Sequence, residues 1–199
     1  MDFAEVVRRR RMVRSFADRP LPPGLLDRLL ATATRAPSAG FAQGPRFLTL
    51  EDAEARARFW ALTAPPAGGR PDPWPGLRRA PAVVLPLASP EPYLARYAEP
   101  DKVGQGRDRV EGWPVPYWQV DCAFATMLLL LAAADAGLGA AFVGLFHGED
   151  AVLAELGVPA GWRPIGAVAL GHPAADDRPS RSTGRGRRPL DEVVHRERW

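Results

Sequence analysis

The sequence contains no asparagine, one lysine (Lys102) and one cysteine (Cys122). A single cysteine excludes an internal disulfide, and its place in an apolar run is typical of a buried residue in a reducing compartment. The first residues alternate charged and apolar groups and do not form a secretory signal pattern. The three histidines are far apart, with no cysteine or carboxylate at ligand spacing, which argues against a metal site. We therefore expect a cytoplasmic protein without a metal.

A long hydrophobic run is also missing. The most apolar stretch, residues 124–134, is bracketed by Asp121 and Asp135 and is shorter than the roughly 20 residues that cross a bilayer. We expect a core helix there and no membrane association, with the two aspartates capping or pairing rather than catalysing. The chain of 199 residues is long enough for one domain with a substantial core.

Apolar periodicity predicts a mixture of helices and strands of ordinary length. Helices are expected near 3–11, 25–33, 51–62, 117–136 and 149–156, and strands near 47–50, 82–87, 140–146 and 165–170. Residues 64–80 and 88–116 are expected to be loops, and the tail after Gly171 to be irregular. Because helices and strands do not alternate strictly, the order favours an α+β sandwich over a doubly wound parallel fold. The 117–136 helix is apolar nearly all round and should be buried on every side, including by a partner subunit.

Arginine is concentrated at the two ends of the chain, although the net charge is only +3. Near the start, Arg10 and Arg14 are four residues apart and would share a face of a helix. Near the end, Arg185 and Arg187 would point the same way on an extended chain. Either pair would suit one phosphate, because guanidinium forks match phosphate oxygens. Taken alone, each cluster is equally typical of a solvated charge run or a disordered basic tail.

Two further segments are rich in small residues. The first, residues 36–44, follows a helix and would let a flat ring approach the backbone, with the Gln43 amide available to ring carbonyls. The second, residues 137–145, places glycines where a helix runs into a strand and exposes backbone N–H groups. Alone, they are an ordinary loop and an ordinary helix stop.

In order, spacing and position, these four segments resemble the nitroreductase-like flavoprotein family over almost the whole chain. The family's usual form is an Arg-Arg-Ser-x-Arg-x-Phe start, a Pro-Ser-x-x-Asn-x-Gln-Pro-Trp loop, a Gly-Leu-Gly turn and a basic-Arg-x-Pro-Leu-x-x-Val end. The resemblance implies a homodimeric three-layer α/β/α sandwich with a central, mostly antiparallel sheet. It also implies that residues 1–199 form a single FMN-binding domain, with 172–199 as a tail contributing to the flavin site or the dimer.

The resemblance further implies which residues bind the cofactor. The FMN phosphate and ribityl chain would be held by residues from both ends of the chain: Arg10, Arg11, Met12, Arg14, Arg185 and Arg187. The ring of the partner's flavin would be reached by Pro37, Ser38 and Gln43. The flavin edge, with a backbone N–H near N5, would be lined by Phe142, Val143, Gly144 and Leu145. Apart from the resemblance, we expect Phe41, Trp113 and Tyr117 to line the substrate pocket, with ordinary packing against the long helix as the alternative for Trp113 and Tyr117.

The implied activity is an FMN-dependent oxidoreductase that takes hydride from NADPH or NADH and reduces a small planar acceptor such as a nitroaromatic or quinone. FMN carries this chemistry, so no catalytic side chain is required. The implied partners are a second copy of the chain and the small-molecule substrate. A nucleic-acid-binding protein remains an alternative, but the sequence has no recognisable binding fold for it and the tail also carries acidic residues.

The sequence departs from the family pattern at three places. Met12 replaces a serine, so a hydroxyl contact is lost unless Ser15 compensates. Phe41 replaces an asparagine, and its ring would narrow the pocket towards flat apolar acceptors. Gly44 and Pro45 replace Pro-Trp. The resulting Gly-Phe-x-Gln loop is similar to that of a subgroup that fragments FMN to dimethylbenzimidazole, and to that of deazaflavin-related members. Oxidative FMN fragmentation and non-enzymatic flavin binding therefore stay open.

Overall fold

The computed structural model describes residues 2–66 and 74–199. The helices are α1 (Phe3–Arg9), α2 (Leu25–Ala33), α3 (Ala53–Leu62), α4 (Glu91–Tyr97), α5 (Tyr117–Asp135), α6 (Glu149–Glu155) and α7 (Leu190–Val193). The strands are β1 (Arg46–Leu50), β2 (Ala82–Ala88), β3 (Gly139–Val143), β4 (Arg163–Pro164) and β5 (Ala167–Gly171).

The five strands form one antiparallel sheet in the order β1-β2-β5-β3, with β4 pairing with β2. Every residue of β2 is buried, because successive side chains point to opposite faces and both faces are covered. Ala82 and Val84 pack in a core with residues of α2 and α5, whereas Val83 and Leu85 pack with residues of α3 and α6. These layers confirm the expected α+β, α/β/α sandwich.

Within the single chain, α5 is buried on one face only, and its expected burial by a partner subunit stays a prediction. One face packs on α2 and the sheet through residues such as Leu129 and Ala133, while Phe124 and Met127 are 48% and 47% exposed. Among the described residues, α5 is the one helix long and apolar enough to cross a bilayer. The sequence estimate counted only the apolar stretch 124–134, whereas the whole helix, Tyr117–Asp135, has 19 residues. Its packed face is that of a core helix.

Cys122 lies on the packed face of α5, as expected. Burial, followed by the charge of the neighbouring Asp121, raises the pKa of its thiol to about 12. The thiol therefore stays protonated at neutral pH and behaves as a small apolar group.

Two boundaries differ from the sequence expectations. The first helix ends at Arg9, and the chain from Arg10 runs extended because it pairs with the edge of the sheet: Met12 forms a parallel bridge with Ala140. Helix α4 lies where only a loop is expected. Its prolines stand at Pro90 and Pro92, at the helix start, where a missing N–H costs nothing.

Gly139 at the start of β3 offers a test of the sheet-edge packing. A Cβ there would lie 2.7–2.9 Å from three side-chain atoms of Val13. We expect Gly139→Ala to lower the free energy of unfolding by about 1–3 kcal/mol through overpacking, measured by urea unfolding. Gly184→Ala is the control, because a Cβ at Gly184 meets nothing within 4 Å. Equal unfolding midpoints for the two variants would contradict this packing.

Candidate functional site

The arginine segment, residues 10–16, is extended and held along its length by backbone hydrogen bonds. The Val13 N–H donates to Ala140 O at 2.9 Å, and the Phe16 N–H donates to Gly76 O at 3.3 Å. Phe16 also forms an antiparallel bridge with Pro173 at the start of the tail. The expected helical face shared by Arg10 and Arg14 therefore does not exist. On an extended chain these two residues lie an even number of positions apart and share a side.

Asp177 at the start of the tail receives three donors from the arginine segment. Its Oδ1 accepts the backbone N–H groups of Arg14, at 2.8 Å, and Ser15, at 2.9 Å, and its Oδ2 accepts the guanidinium of Arg11. The Asp177 side chain is 1% exposed. Arg11 is thus ion-paired, whereas the side chain of Arg10 makes no hydrogen bond or ion pair within the described part of the chain.

Ser15 does not compensate for the serine missing at position 12. Its hydroxyl donates to Asp176 Oδ1 at 2.6 Å and accepts from the Arg79 guanidinium. The Ser15 hydroxyl and then Arg79 hold the pKa of the Asp176 carboxyl below its usual range. Met12 instead accepts the N–H of Phe142 on its sulfur, at 3.3 Å. This bond joins the arginine segment to the end of β3.

The arginines border two cavities. Arg10 and Arg11 line one of about 330 Å³ together with Gly137 and Ala140. Arg14 lines another, of about 480 Å³, and its guanidinium carbon lies 4.8 Å from the centre of the Trp74 ring. The guanidinium of Arg14 has a backbone acceptor, Met12 O at 3.3 Å, but no carboxylate partner within residues 2–66 and 74–199.

The expected flavin-edge residues lie where β3 ends. Phe142 and Val143 close the strand and are half-buried, Leu145 is half-buried and Gly144 is exposed. Within the described chain, no backbone hydrogen bond uses the N–H of Gly144 or Leu145. This turn can therefore offer N–H donors to an outside acceptor.

The loop of residues 38–44 has a strained backbone. Gly40, Phe41 and Gln43 have φ values of 60°, 58° and 48°, and only glycine adopts this region without cost. Phe41 is 73% exposed, and with Ser38 and Gln43 it borders a cavity of about 660 Å³. Pro37, just before the loop, is also exposed. Strain of this kind persists only where surrounding contacts hold it.

The side chains of Asp121 and Arg96 hold the strained loop in place through hydrogen bonds to its backbone. The buried Asp121 carboxylate accepts the Ala39 N–H at 2.8 Å and the Tyr93 hydroxyl at 2.9 Å, which confirms that it pairs. Arg96 Nε donates to Gly40 O at 2.8 Å, while its terminal nitrogens each lie 2.6 Å from an Asp101 oxygen. Burial and then the bond to Asp121 raise the pKa of Tyr93 far above its usual range.

Trp113 and Tyr117 belong to a cluster of aromatic residues that packs against this loop. The cluster also contains Tyr93, Tyr97 and Trp118. Trp113 is buried, lies edge-on to Tyr97 with ring centres 4.9 Å apart, and donates its indole N–H to Arg107 O. Tyr117 is partly exposed, with its ring centre 5.7 Å from that of Trp113. Neither residue lines the Phe41 cavity. Their contact with substrate stays a prediction.

The tail arginines are not brought to the arginine segment within a single chain. Arg185 and Arg187 are exposed, and their side chains make no hydrogen bond or ion pair with any described residue. The tail also leaves apolar side chains unpacked, with Leu190 69% exposed. Sequence reasoning missed Tyr93, Arg96 and Asp177, because their partners are distant in sequence and no local motif marks them.

An antiparallel sheet between two helical layers, with a basic segment fixed along its edge, defines the structural class of this protein. A sequence model of one protein family, described as the nitroreductase family, matches residues 7–172 of the chain. The chain belongs to the nitroreductase family.

Individual relatives agree with this assignment. The chain is 26% identical over its full length to a Methanothermobacter thermautotrophicus protein named as an NADH dehydrogenase/NAD(P)H nitroreductase, of which it covers 88%. It is 29% identical over 95% of its length to the FMN reductase [NAD(P)H] of Bacillus subtilis, of which it covers 71%. Its fold matches that of a nitroreductase family protein from Clostridium difficile 630 with a TM-score of 0.71, at 21% identity and full coverage of both chains.

The buried Tyr93–Asp121 pair gives a direct test of how the loop is held. Tyr93→Phe removes the hydroxyl and leaves a buried carboxylate with one fewer donor. We expect the free energy of unfolding to fall by about 1.5–3 kcal/mol, measured by denaturant unfolding. Tyr117→Phe, at the more exposed aromatic ring, should change it by less than about 0.5 kcal/mol. Equal losses in the two variants would refute the role given to the pair.

Proposed function

We propose that the protein is an FMN-dependent oxidoreductase that passes hydride from NADPH or NADH to a small planar acceptor such as a nitroaromatic or quinone. The observation that carries the proposal is the pair Arg10 and Arg14, fixed on an extended segment and without carboxylate partners among the described residues. Membership of the nitroreductase family supports redox chemistry. The name of the Bacillus subtilis relative supports the use of FMN and NAD(P)H.

The residues present fit FMN. Guanidinium groups without acidic partners suit a phosphate dianion, and the turn at Gly144 and Leu145 offers N–H donors suited to a ring nitrogen or carbonyl. Arg10 and Arg14 border separate cavities in the single chain, so their long side chains would both have to turn towards the phosphate when FMN binds, and Met12 would lie beside the ribityl chain. When bound, FMN supplies the hydride chemistry. The protein binds and orients the ring and excludes water from it.

A second copy of the chain completes this proposed site. The exposed face of α5, with Phe124 and Met127, is an apolar surface of the kind that marks an interface. The exposed tail, with Leu190 and Val193, has apolar side chains that need a surface to pack on. We infer a homodimer in which Pro37, Ser38 and Gln43 reach the partner's flavin, and in which the tail places Arg185 and Arg187 at a phosphate.

The cofactor assignment is tested by flavin binding. We expect the purified protein to be yellow and to oxidise NADPH or NADH with a quinone as acceptor. Arg10→Gln and Arg14→Gln should each weaken FMN binding about tenfold or more, because each removes a charge-assisted contact worth about 1.4 kcal/mol or more. Affinity for riboflavin, which lacks the phosphate, should stay the same. Fluorescence titration measures both.

Arg8→Gln is the matched control in the same basic run, because Arg8 is paired with Glu5. A colourless protein that fails to bind FMN and binds DNA with a steep salt dependence would contradict the proposal. Anaerobic reduction followed by aeration distinguishes the fragmentation alternative, since intact FMN excludes it.

The homodimer is tested on α5. Phe124→Glu places a charge on the exposed apolar face, so we expect the dimer to dissociate at micromolar concentration and to lose FMN together with its second subunit. Light scattering coupled to size exclusion measures the mass. The control is Ala61→Glu on α3, which covers the opposite face of the sheet. A wild-type monomer that binds FMN fully would overturn the shared site.

A further inference from the structure

We propose that Asp177 is a positioning residue for the flavin phosphate, with Arg11 as its counter-ion. On this proposal Arg11 does not bind the phosphate, and Asp177 fixes the backbone from which Arg14 reaches it. The inference rests on the proposed function, since it concerns which residues serve the FMN phosphate. It changes the role that family resemblance gives to Arg11.

The Asp177 carboxylate is buried and is hydrogen-bonded to the arginine segment. Both oxygens of Asp177 are used: Oδ1 by the N–H groups of Arg14 and Ser15, and Oδ2 by Arg11. The side chain is 1% exposed, whereas that of the adjacent Asp176 is 63% exposed. A charge so deeply buried is stable only when it is paired and hydrogen-bonded. The pairing therefore commits Arg11 to Asp177.

The backbone brings the start of the tail alongside the arginine segment. Ala17 donates its N–H to His172 O at 2.9 Å, and Ala174 donates to Ser15 O at 3.0 Å, so the two segments run side by side. The tail then turns, with the Asp177 N–H donating to Ala174 O at 3.1 Å. Because of this turn, the Asp177 carboxylate lies against the backbone of the arginine segment. Asp177 thus fastens the base of the tail that carries Arg185 and Arg187.

The arginines of the segment therefore have different roles: Arg11 is structural, and Arg10 and Arg14 bind the anion. The Arg11–Asp177 pair has no net charge and attracts an anion weakly. The guanidinium groups of Arg10 and Arg14 have no carboxylate partner among the described residues, so their positive charge is not neutralised. Removing the carboxylate would leave two buried N–H groups without an acceptor and Arg11 without a counter-ion. The segment would then lose its fixed conformation, and with it the placement of Arg14.

The opposite role would also be physically reasonable. A carboxylate seated on two N–H groups and a guanidinium occupies the kind of place that a phosphate takes, and would compete with it. In that case removing Asp177 would tighten FMN binding. The two roles predict changes of opposite sign, so FMN affinity separates them.

The experiment is a double-mutant cycle on the full chain, using Asp177→Ala, Arg11→Gln and the double variant. FMN and riboflavin are titrated against each by flavin fluorescence. We expect each single variant to weaken FMN about 5- to 20-fold and riboflavin less than about twofold. The double variant should be no weaker than the worse single variant, because the two residues act as one unit. Asp176→Ala, at the exposed neighbour, should bind FMN within about twofold of wild type.

Asp177→Asn covers the case in which the alanine variant does not fold. It keeps one oxygen acceptor for the two N–H groups but replaces the acceptor of Arg11 with an NH2 donor, so we expect FMN affinity to fall by less than in the alanine variant. Wild-type or tighter FMN binding by either Asp177 variant would overturn the proposal. Additive losses in the cycle would also overturn it, since Arg11 would then act on the phosphate itself.

Failure of the proposed function gives a different result. If the wild-type protein binds neither FMN nor riboflavin, the proposed function is wrong. Asp177 then has no flavin phosphate to position. If the wild-type protein binds FMN and the variants bind it with the same affinity, only the role proposed for Asp177 is wrong.

Discussion

The pairing of the arginine segment with the edge of the sheet is the interaction on which the candidate site depends. The bond from the Val13 N–H to Ala140 O and the bridge at Met12 make this segment an additional strand beside β3. Side chains on a paired strand have fixed directions, because the period of two leaves little freedom. The same pairing sets Met12 against Phe142. The arginine segment and the turn after β3 are therefore positioned by one register.

A second constraint acts on the other part of the candidate site. The loop of residues 38–44 holds two non-glycine residues, Phe41 and Gln43, at positive φ, which costs about 1–2 kcal/mol each. Buried polar contacts to Asp121 and Arg96 oppose this cost, and Tyr93 packs so closely that only glycine fits at position 44. The loop is therefore preformed, with the Phe41 ring exposed rather than folded back onto its own chain.

The sequence predicts the layers of the fold well and the contacts of the site poorly. Strand β2 and helices α2 and α5 are long or strongly periodic, so their apolar pattern alone places them. Helix α4 is missed because prolines at a helix start also mark a loop. The resemblance identifies the arginine segment, but the roles of Arg11 and Ser15 depend on Asp177 and Asp176, more than 160 positions away. No local pattern carries that information.

The arrangement of carboxylates also explains why counting arginines is a poor guide to an anion site. Arg8 and Arg9 are paired with Glu5, Arg11 with Asp177, and Arg79 with Asp176. A paired guanidinium contributes structure, while one without a carboxylate keeps its charge for a ligand. By this criterion, and among residues 2–66 and 74–199, only Arg10 and Arg14 of the basic run are left for a phosphate. Two such groups on a rigid strand bind a phosphate better than a mobile run of five, because little conformational entropy is lost when the ligand arrives.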